Sequence, residues 1–132
     1  MATLTLHAHG VASVTLVWER YADPGLWPTW AAQIQRVDTA MDRLVAGGTG
    51  TVRAGLLSRP TLGVPFEVLE VDEDARQWAW RVTLGPVHLR LGHGVSDHPT
   101  GSSTWLRIHG PLPVILGYAP VARHALGRLV AA

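Results

Sequence analysis

The stretch Gln77–Val95, QWAWRVTLGPVHLRLGHGV, limits the possible folds more than any other part of the chain. It reads as two alternating strands joined at Gly85-Pro86. Side chains of a strand point alternately to opposite faces, so parity assigns each residue a side. In the first strand Trp78, Trp80, Val82 and Leu84 share a face, with Gln77, Arg81 and Thr83 on the other. In the second, Leu89, Leu91, His93 and Val95 share the apolar face, while His88 and Arg90 turn outward. One ionisable residue, His93, therefore lies among large apolar side chains on the covered face of a sheet.

The rest of the chain supplies what must cover that face. Thr3–Ala8 alternates and reads as a strand with Leu4, Leu6 and Ala8 inward. Ser13 is the expected N-cap of a helix reaching Tyr21, whose apolar stripe is Val14, Val17, Trp18 and Tyr21. Asp23-Pro24 restarts the chain as a short second helix carrying Trp27 and Trp30. Strands are then expected at Ile34–Thr39, Thr51–Ser58 and Pro65–Asp72, and at Ser103–His109 after the central pair. The glycine run at 46–50 and the turns DED and DHPTG separate them. The segment Leu112–Val130 reads as a helix that Pro120 kinks or divides, because proline removes a helix hydrogen bond. Hairpin-like connections make the strands antiparallel. Only the terminal helix is long enough to cover their shared face.

Composition excludes several classes. At 132 residues the chain is long enough for one domain with a sizeable core, spanning 1–132. The hydrophobic fraction of 47% against 16% charged residues argues for a globular fold over a disordered one. The 11 basic residues are all Arg and scattered, which argues against nucleic-acid binding. Absence of cysteine removes disulfides, thiol catalysis and Cys-ligated metals. The apolar run Pro111–Ala122 is broken by prolines and shorter than the roughly 20 residues a membrane span needs. MATLTLHAHG has no signal-peptide pattern, and a cytoplasmic location is the expectation.

Few residues carry the chemistry of a site. His93 has three readings: a core histidine bonded to its neighbours, a ligand contact, or a proton-transfer group. Trp78 and Trp80 beside it either pack the core or form walls that stack on a flat ligand. Glu70 is ambiguous, because FEVLEV cannot place both Phe66 and Val68 and Leu69 and Val71 inward without a bulge. Facing in, Glu70 would be a second acid or base beside His93. Facing out, it is a solvated carboxylate. Leu91, Leu106 and Tyr118 complete the expected apolar lining. Trp105 has outward parity and suits a surface or a homodimer interface. His7 and His9 have H-x-H spacing but no third ligand, and His88, His93 and His98 alternate faces, so no metal site is expected. Strand residues Arg53, Arg81, Arg90 and Arg107 all face out. The expected cavity thus lacks a guanidinium for an acidic ligand, and a neutral, mostly apolar one fits better.

The segments VWERYADPGLWPTW, AGGTGTVR, FEVLEVDEDARQWAWRV and HGVSDHPTGSSTWLRIHGPL, followed by the final helix, resemble the START-like SRPBCC superfamily. More narrowly they resemble its polyketide cyclase/dehydrase and lipid-transport members. The resemblance covers nearly the whole chain. It implies an α+β helix-grip fold: a curved antiparallel sheet of about seven strands wrapped around a C-terminal helix, with two short helices after the first strand. It also implies a small hydrophobic ligand between sheet and helix; no cofactor is expected. Two functions follow from it. One is a cyclase or dehydratase in which His93, with Glu70 if inward, moves a proton while Trp78 and Trp80 shape the substrate. The other is a carrier or sensor without chemistry. A module that binds a protein partner through Trp105 and Tyr118 is a third reading.

Overall fold

Seven strands and three helices follow one another as β1 (Ala2–Gly10), α1 (Val14–Ala22), a 3-10 turn (Pro24–Leu26), α2 (Trp27–Trp30), β2 (Ile34–Thr39), β3 (Thr49–Leu56), β4 (Arg59–Asp72), β5 (Gln77–Leu84), β6 (Val87–His98), β7 (Gly101–Gly110) and α3 (Leu112–Leu129). The computed structural model describes residues 1–56 and 59–132. All strands lie in one antiparallel sheet of order β1-β7-β6-β5-β4-β3-β2. The sheet curves around α3 in a helix-grip arrangement.

Local chemistry explains most of the element ends. The Ser13 hydroxyl accepts the Leu16 amide and caps α1. Asp23 accepts from the Gly25 amide just before Pro24 opens the next turn. Gly85 sits at φ 60°, and it starts the two-residue hairpin loop between Leu84 and Val87, a position that favours glycine. The strands exceed their alternating cores. β4 begins at Arg59 rather than Pro65, β6 runs on to His98, and β3 begins at Thr49. The expected end of the third strand at Ser58 lies outside the described residues. Pro120 does not divide α3, which continues to Leu129.

The ambiguity at FEVLEV is resolved by a bulge. Val68 pairs with Trp80, and Glu70, not Leu69, pairs with Ala79. The extra residue lets Phe66 and Val68 face the core and still brings Val71 opposite Trp78.

One apolar core fills the space between the sheet, α1, α2 and α3. Helix α1 is tied to the β4–β5 turn, where Trp18 Nε1 donates to Glu73 at 2.5 Å. Arg43 pairs with both Glu73 and Glu19 of α1. The C-terminal end of α3 lies against the end of β1, where the Ala12 amide donates to the Val130 carbonyl. A Cβ added at Gly10 would run into that Val130 carbonyl group. Gly10→Ala is therefore expected to destabilise the fold by about 1–3 kcal/mol, the usual range for overpacking. Urea unfolding of the variant checks this, and an unchanged midpoint would mean that α3 ends farther from β1.

Candidate functional site

His93 projects from β6 into the core, 5% exposed, and its cross-strand neighbours are Trp78 of β5 and Leu106 of β7. The Trp78 ring stacks on the imidazole at 4.6 Å between centroids, 10° from parallel. Trp80, two residues along β5 and paired with Leu91, is a diagonal neighbour within reach. Its indole Nε1 donates to His93 Nε2 at 3.0 Å. That makes Nε2 an acceptor and leaves the proton of the neutral ring on Nδ1. Nδ1 lies 3.2 Å from the Tyr21 hydroxyl, which lies 2.6 Å from Thr104 Oγ1. Thr104 in turn donates to the Gly94 carbonyl at 2.8 Å. A single donor order satisfies every member: Trp80 to His93, His93 to Tyr21, Tyr21 to Thr104, Thr104 to Gly94.

Burial sets the protonation states of this chain. Desolvation lowers the His93 pKa from 6.5 to about 3, so the ring is neutral near pH 7. The same cause pushes the Tyr21 phenol well above its usual range, against the opposing effect of its bond to Thr104. Both are uncharged hydrogen-bonding groups, and both ring nitrogens of His93 are engaged by the protein itself.

Around this chain the aromatic side chains are crowded. Trp27 stacks on Trp78 at 5.6 Å and lies 5.1 Å from Trp80, while Phe66 meets Trp80 edge-on at 5.4 Å. Tyr21 makes edge contacts with Trp30 and Trp78. This packing fills the deep end of the grip and leaves an inner chamber of about 30 Å³. Trp78, Trp80, His93, Leu106 and Tyr118 line it, together with Trp27, Trp30 and residues of α3. An outer pocket of about 280 Å³ opens between the β2–β6 part of the sheet and α3. Its walls are Ile34, Val52, Val64, Trp80, Val82, Leu91, Tyr118 and Val121, among other uncharged residues. Gln33, Ile34, Trp80 and Tyr118 border both spaces. Tyr118, hydrogen-bonded to Gln33, has its pKa raised by burial. Among the described residues no carboxylate or guanidinium lines either space.

The structure thus gathers Trp78, Trp80, Leu91, His93, Leu106 and Tyr118 around two adjoining spaces. Glu70 is not among them. Its side chain is 72% exposed on the outer face and pairs with Arg90 at 3.2 Å. The bulge at Leu69 decides this, so Glu70 does not face inward and does not stand beside His93 as a second acid or base. Arg53, Arg81, Arg90 and Arg107 are exposed, as parity predicts. Sequence reasoning missed Tyr21 as the partner of His93, since nothing in an apolar helix stripe shows where a hydroxyl will bond. It also missed Gln33 and Val121. Val121 follows Pro120 on α3, and its facing depends on how that helix sits. Trp105 lies flat over Gly94 on the outer face, its ring capped by Arg107 at 5.4 Å. It borders a groove of about 600 Å³ that also meets Glu70, Asp72, Arg90 and Arg107. That groove is larger than the apolar pocket, but its charged rim suits an apolar molecule poorly. His9 stacks on His98 at 4.4 Å, and no group of three metal-ligating side chains occurs among the described residues. No described helix is long and apolar enough to cross a membrane.

Comparison with solved structures places the fold among known ones. MLL2253 from Mesorhizobium loti superposes with a TM-score of 0.80 at 14% identity, covering 98% of this chain and 94% of its own. Ara h 8.0201 gives 0.78 at 11% identity, with coverages of 98% and 95%. NE0264 from Nitrosomonas europaea gives 0.76 at 14%, with coverages of 97% and 91%. At such identities the likeness concerns the fold alone. No curated protein matches the sequence. The family model described as polyketide cyclase / dehydrase and lipid transport matches residues 1–132 from end to end. With a seven-stranded grip around α3 and an apolar pocket between them, the chain belongs to that family, of the SRPBCC type.

Proposed function

We propose that this protein binds a small, neutral, mostly apolar molecule in the outer pocket between the sheet and α3, and does so without chemistry at His93. The observation that carries the reading is the occupancy of His93. A general acid or base needs a ring nitrogen free to meet the substrate. Here Nε2 accepts from Trp80 and Nδ1 bonds Tyr21, in a ring that burial keeps neutral. The volumes support the same reading. Ligand pockets usually enclose about 300–1,000 Å³, so an outer pocket of about 280 Å³ suits a small molecule better than a folded polyketide chain. Aromatic side chains occupy the depth that a longer ligand would need. The family match and the uncharged lining favour a hydrophobic ligand. A carrier or sensor is the role this supports, over a cyclase.

Val121→Trp tests the pocket, because Val121 lines it from α3 and is only half-buried. The neutral probe N-phenyl-1-naphthylamine is expected to bind the wild type saturably with enhanced fluorescence. The indole added at position 121 should weaken binding at least about tenfold while the melting temperature changes little, since partly exposed positions tolerate substitution. Equal binding by both proteins would place the ligand elsewhere.

A further inference from the structure

The sheet ends in two edge strands, β1 and β2, and only one of them is guarded. A free edge offers a row of N–H and C=O groups that another strand can join, and proteins blunt such edges with charges, bulges or short strands. Strand β2 has six residues, a register shift between Ile34 and Arg36, and Asp38 held by both Arg36 and Arg53. Strand β1 has none of these devices. Its nine residues, ATLTLHAHG, include no proline and no Asp, Glu, Lys or Arg. Its register with β7 runs from Ala2 to Gly10 without a shift. Among the described residues β1 pairs with no strand but β7, so its outer edge has no backbone partner.

The side chains of this edge complement a second copy of themselves. An antiparallel partner centred on Leu6 sets Thr5 opposite His7 of the partner subunit, and His7 opposite the partner's Thr5. Both residues are exposed, with no side-chain partner among the described residues. Threonine facing histidine across two strands is already a bonded arrangement on the outer face of this sheet. Thr3 faces His109 and Thr83 faces His88, and the hydroxyls lie 2.8 and 3.1 Å from the respective Nδ1 atoms. The same register brings Met1 beside the partner's Val11 at each end. At 86% and 63% exposed, these are the most exposed large hydrophobic residues among those described. A slip of two residues either way would set Thr5 against Thr5 or His7 against His7, and would part Met1 from Val11. Centre and ends therefore select one register.

We propose that β1 pairs with β1 of a second copy, antiparallel about Leu6, and that the protein forms a homodimer with one continuous sheet of twice seven strands. Main-chain hydrogen bonds along the edge supply the affinity, as in other strand additions, and the Thr5–His7 pairs fix the register. Leu4, Leu6 and Ala8 keep their inward facing, so both α3 helices lie on the same side of the joined sheet.

Sedimentation velocity of the full chain should show twice the monomer mass at high concentration, returning toward the monomer on dilution. Thr5→Lys with His7→Lys puts like charges directly opposite in both central pairs, and should leave a monomer at every concentration with the melting temperature little changed. Thr5→Glu with His7→Lys makes the same pairs opposite in charge and should restore the dimer. The register is read by oxidation, because the chain has no cysteine of its own. An equimolar mixture of Thr5→Cys and His7→Cys proteins should yield the mixed disulfide in excess of the statistical mixture that random collision gives, since residues directly opposite lie near disulfide reach. This arm stands even if the charged variants fail to fold. A wild type that stays monomeric overturns the proposal and leaves the edge to a strand of another protein. A dimer that survives the two lysines, or cross-links only like to like, overturns the proposed pairing.

Discussion

Lowering the pH from 7 to 5 is expected to remove about 2 kcal/mol of folding stability through His93 alone. The pKa of the folded state is about 3, against 6.5 for an unperturbed ring, and burial is the cause. Above about pH 6.5 the ring is neutral in both folded and unfolded chains, and its contribution is fully present. Below that value the unfolded chain takes up a proton that the folded chain refuses. Stability then falls by about 1.4 kcal/mol per pH unit until the pH approaches the folded value. The lowered carboxylate pKa values of Asp38 and Glu73, held down chiefly by hydrogen bonds from Arg53 and Arg43, act in the same direction. Their loss begins as the pH falls toward the unperturbed carboxylate range, so the upper part of the window belongs to His93.

His93→Gln isolates the effect. Glutamine can accept from Trp80 and donate to Tyr21, but it does not titrate. The variant should be about 1–2 kcal/mol less stable than the wild type at pH 7, from imperfect geometry. Its stability should then change far less between pH 7 and pH 5, so that the two curves converge. Probe binding should persist in the folded variant, because both polar atoms of His93 face protein. Urea melts at several pH values measure this. A flat wild-type profile would show that the folded ring accepts its proton freely, and loss of probe binding in a well-folded variant would return His93 to the ligand site.

Truncating Trp80 to alanine should produce the largest loss of stability. Removing a buried tryptophan typically costs about 3–5 kcal/mol. Here the loss also strands His93 Nε2, which adds the cost of a buried acceptor without its donor. Trp78→Ala should fall in the same range without that addition, since its Nε1 has no hydrogen-bond partner among the described residues. Trp105→Ala should cost about 1 kcal/mol, more than a plain surface change, because the ring covers Gly94 and carries the Arg107 guanidinium. Denaturant unfolding of the three variants establishes the order. A loss at Trp105 matching that at Trp80 would contradict the assignment of faces. Trp80→Phe separates the two contributions at that position, because it keeps most of the packing and removes only the donor.

The central hairpin shows how far a sequence can carry an argument. Trp78, Trp80, Leu91 and His93 share the covered face because two-residue alternation is a property of any extended chain. No tertiary information is needed once the strands are recognised. The same holds for the outward arginines and for Ser13 and Asp23, whose side chains cap through bonds to residues two or three positions away. Glu70 marks where this reasoning stops. Its facing hangs on one inserted residue at Leu69, and a bulge is chosen by the pairing of a whole strand with its neighbour. Local alternation in FEVLEV supports either outcome equally.

By itself, then, the sequence determined the element order, the antiparallel sheet, the covered face and the family, because each depends on short-range periodicity or on motifs spread along the chain. It also determined that a buried imidazole would stand beside two indoles. Only the tertiary structure decided what that imidazole does. Tyr21 and Thr104, 72 and 11 residues away from His93 along the chain, close the hydrogen-bond chain around it. Trp27 and Trp30, carried on a separate helix, take up the depth of the cavity. Hydrogen bonding and close packing act over a few ångströms of space, irrespective of chain separation. Occupancy of a ring nitrogen, or the volume left between side chains, therefore exists only after the sheet has closed on α3.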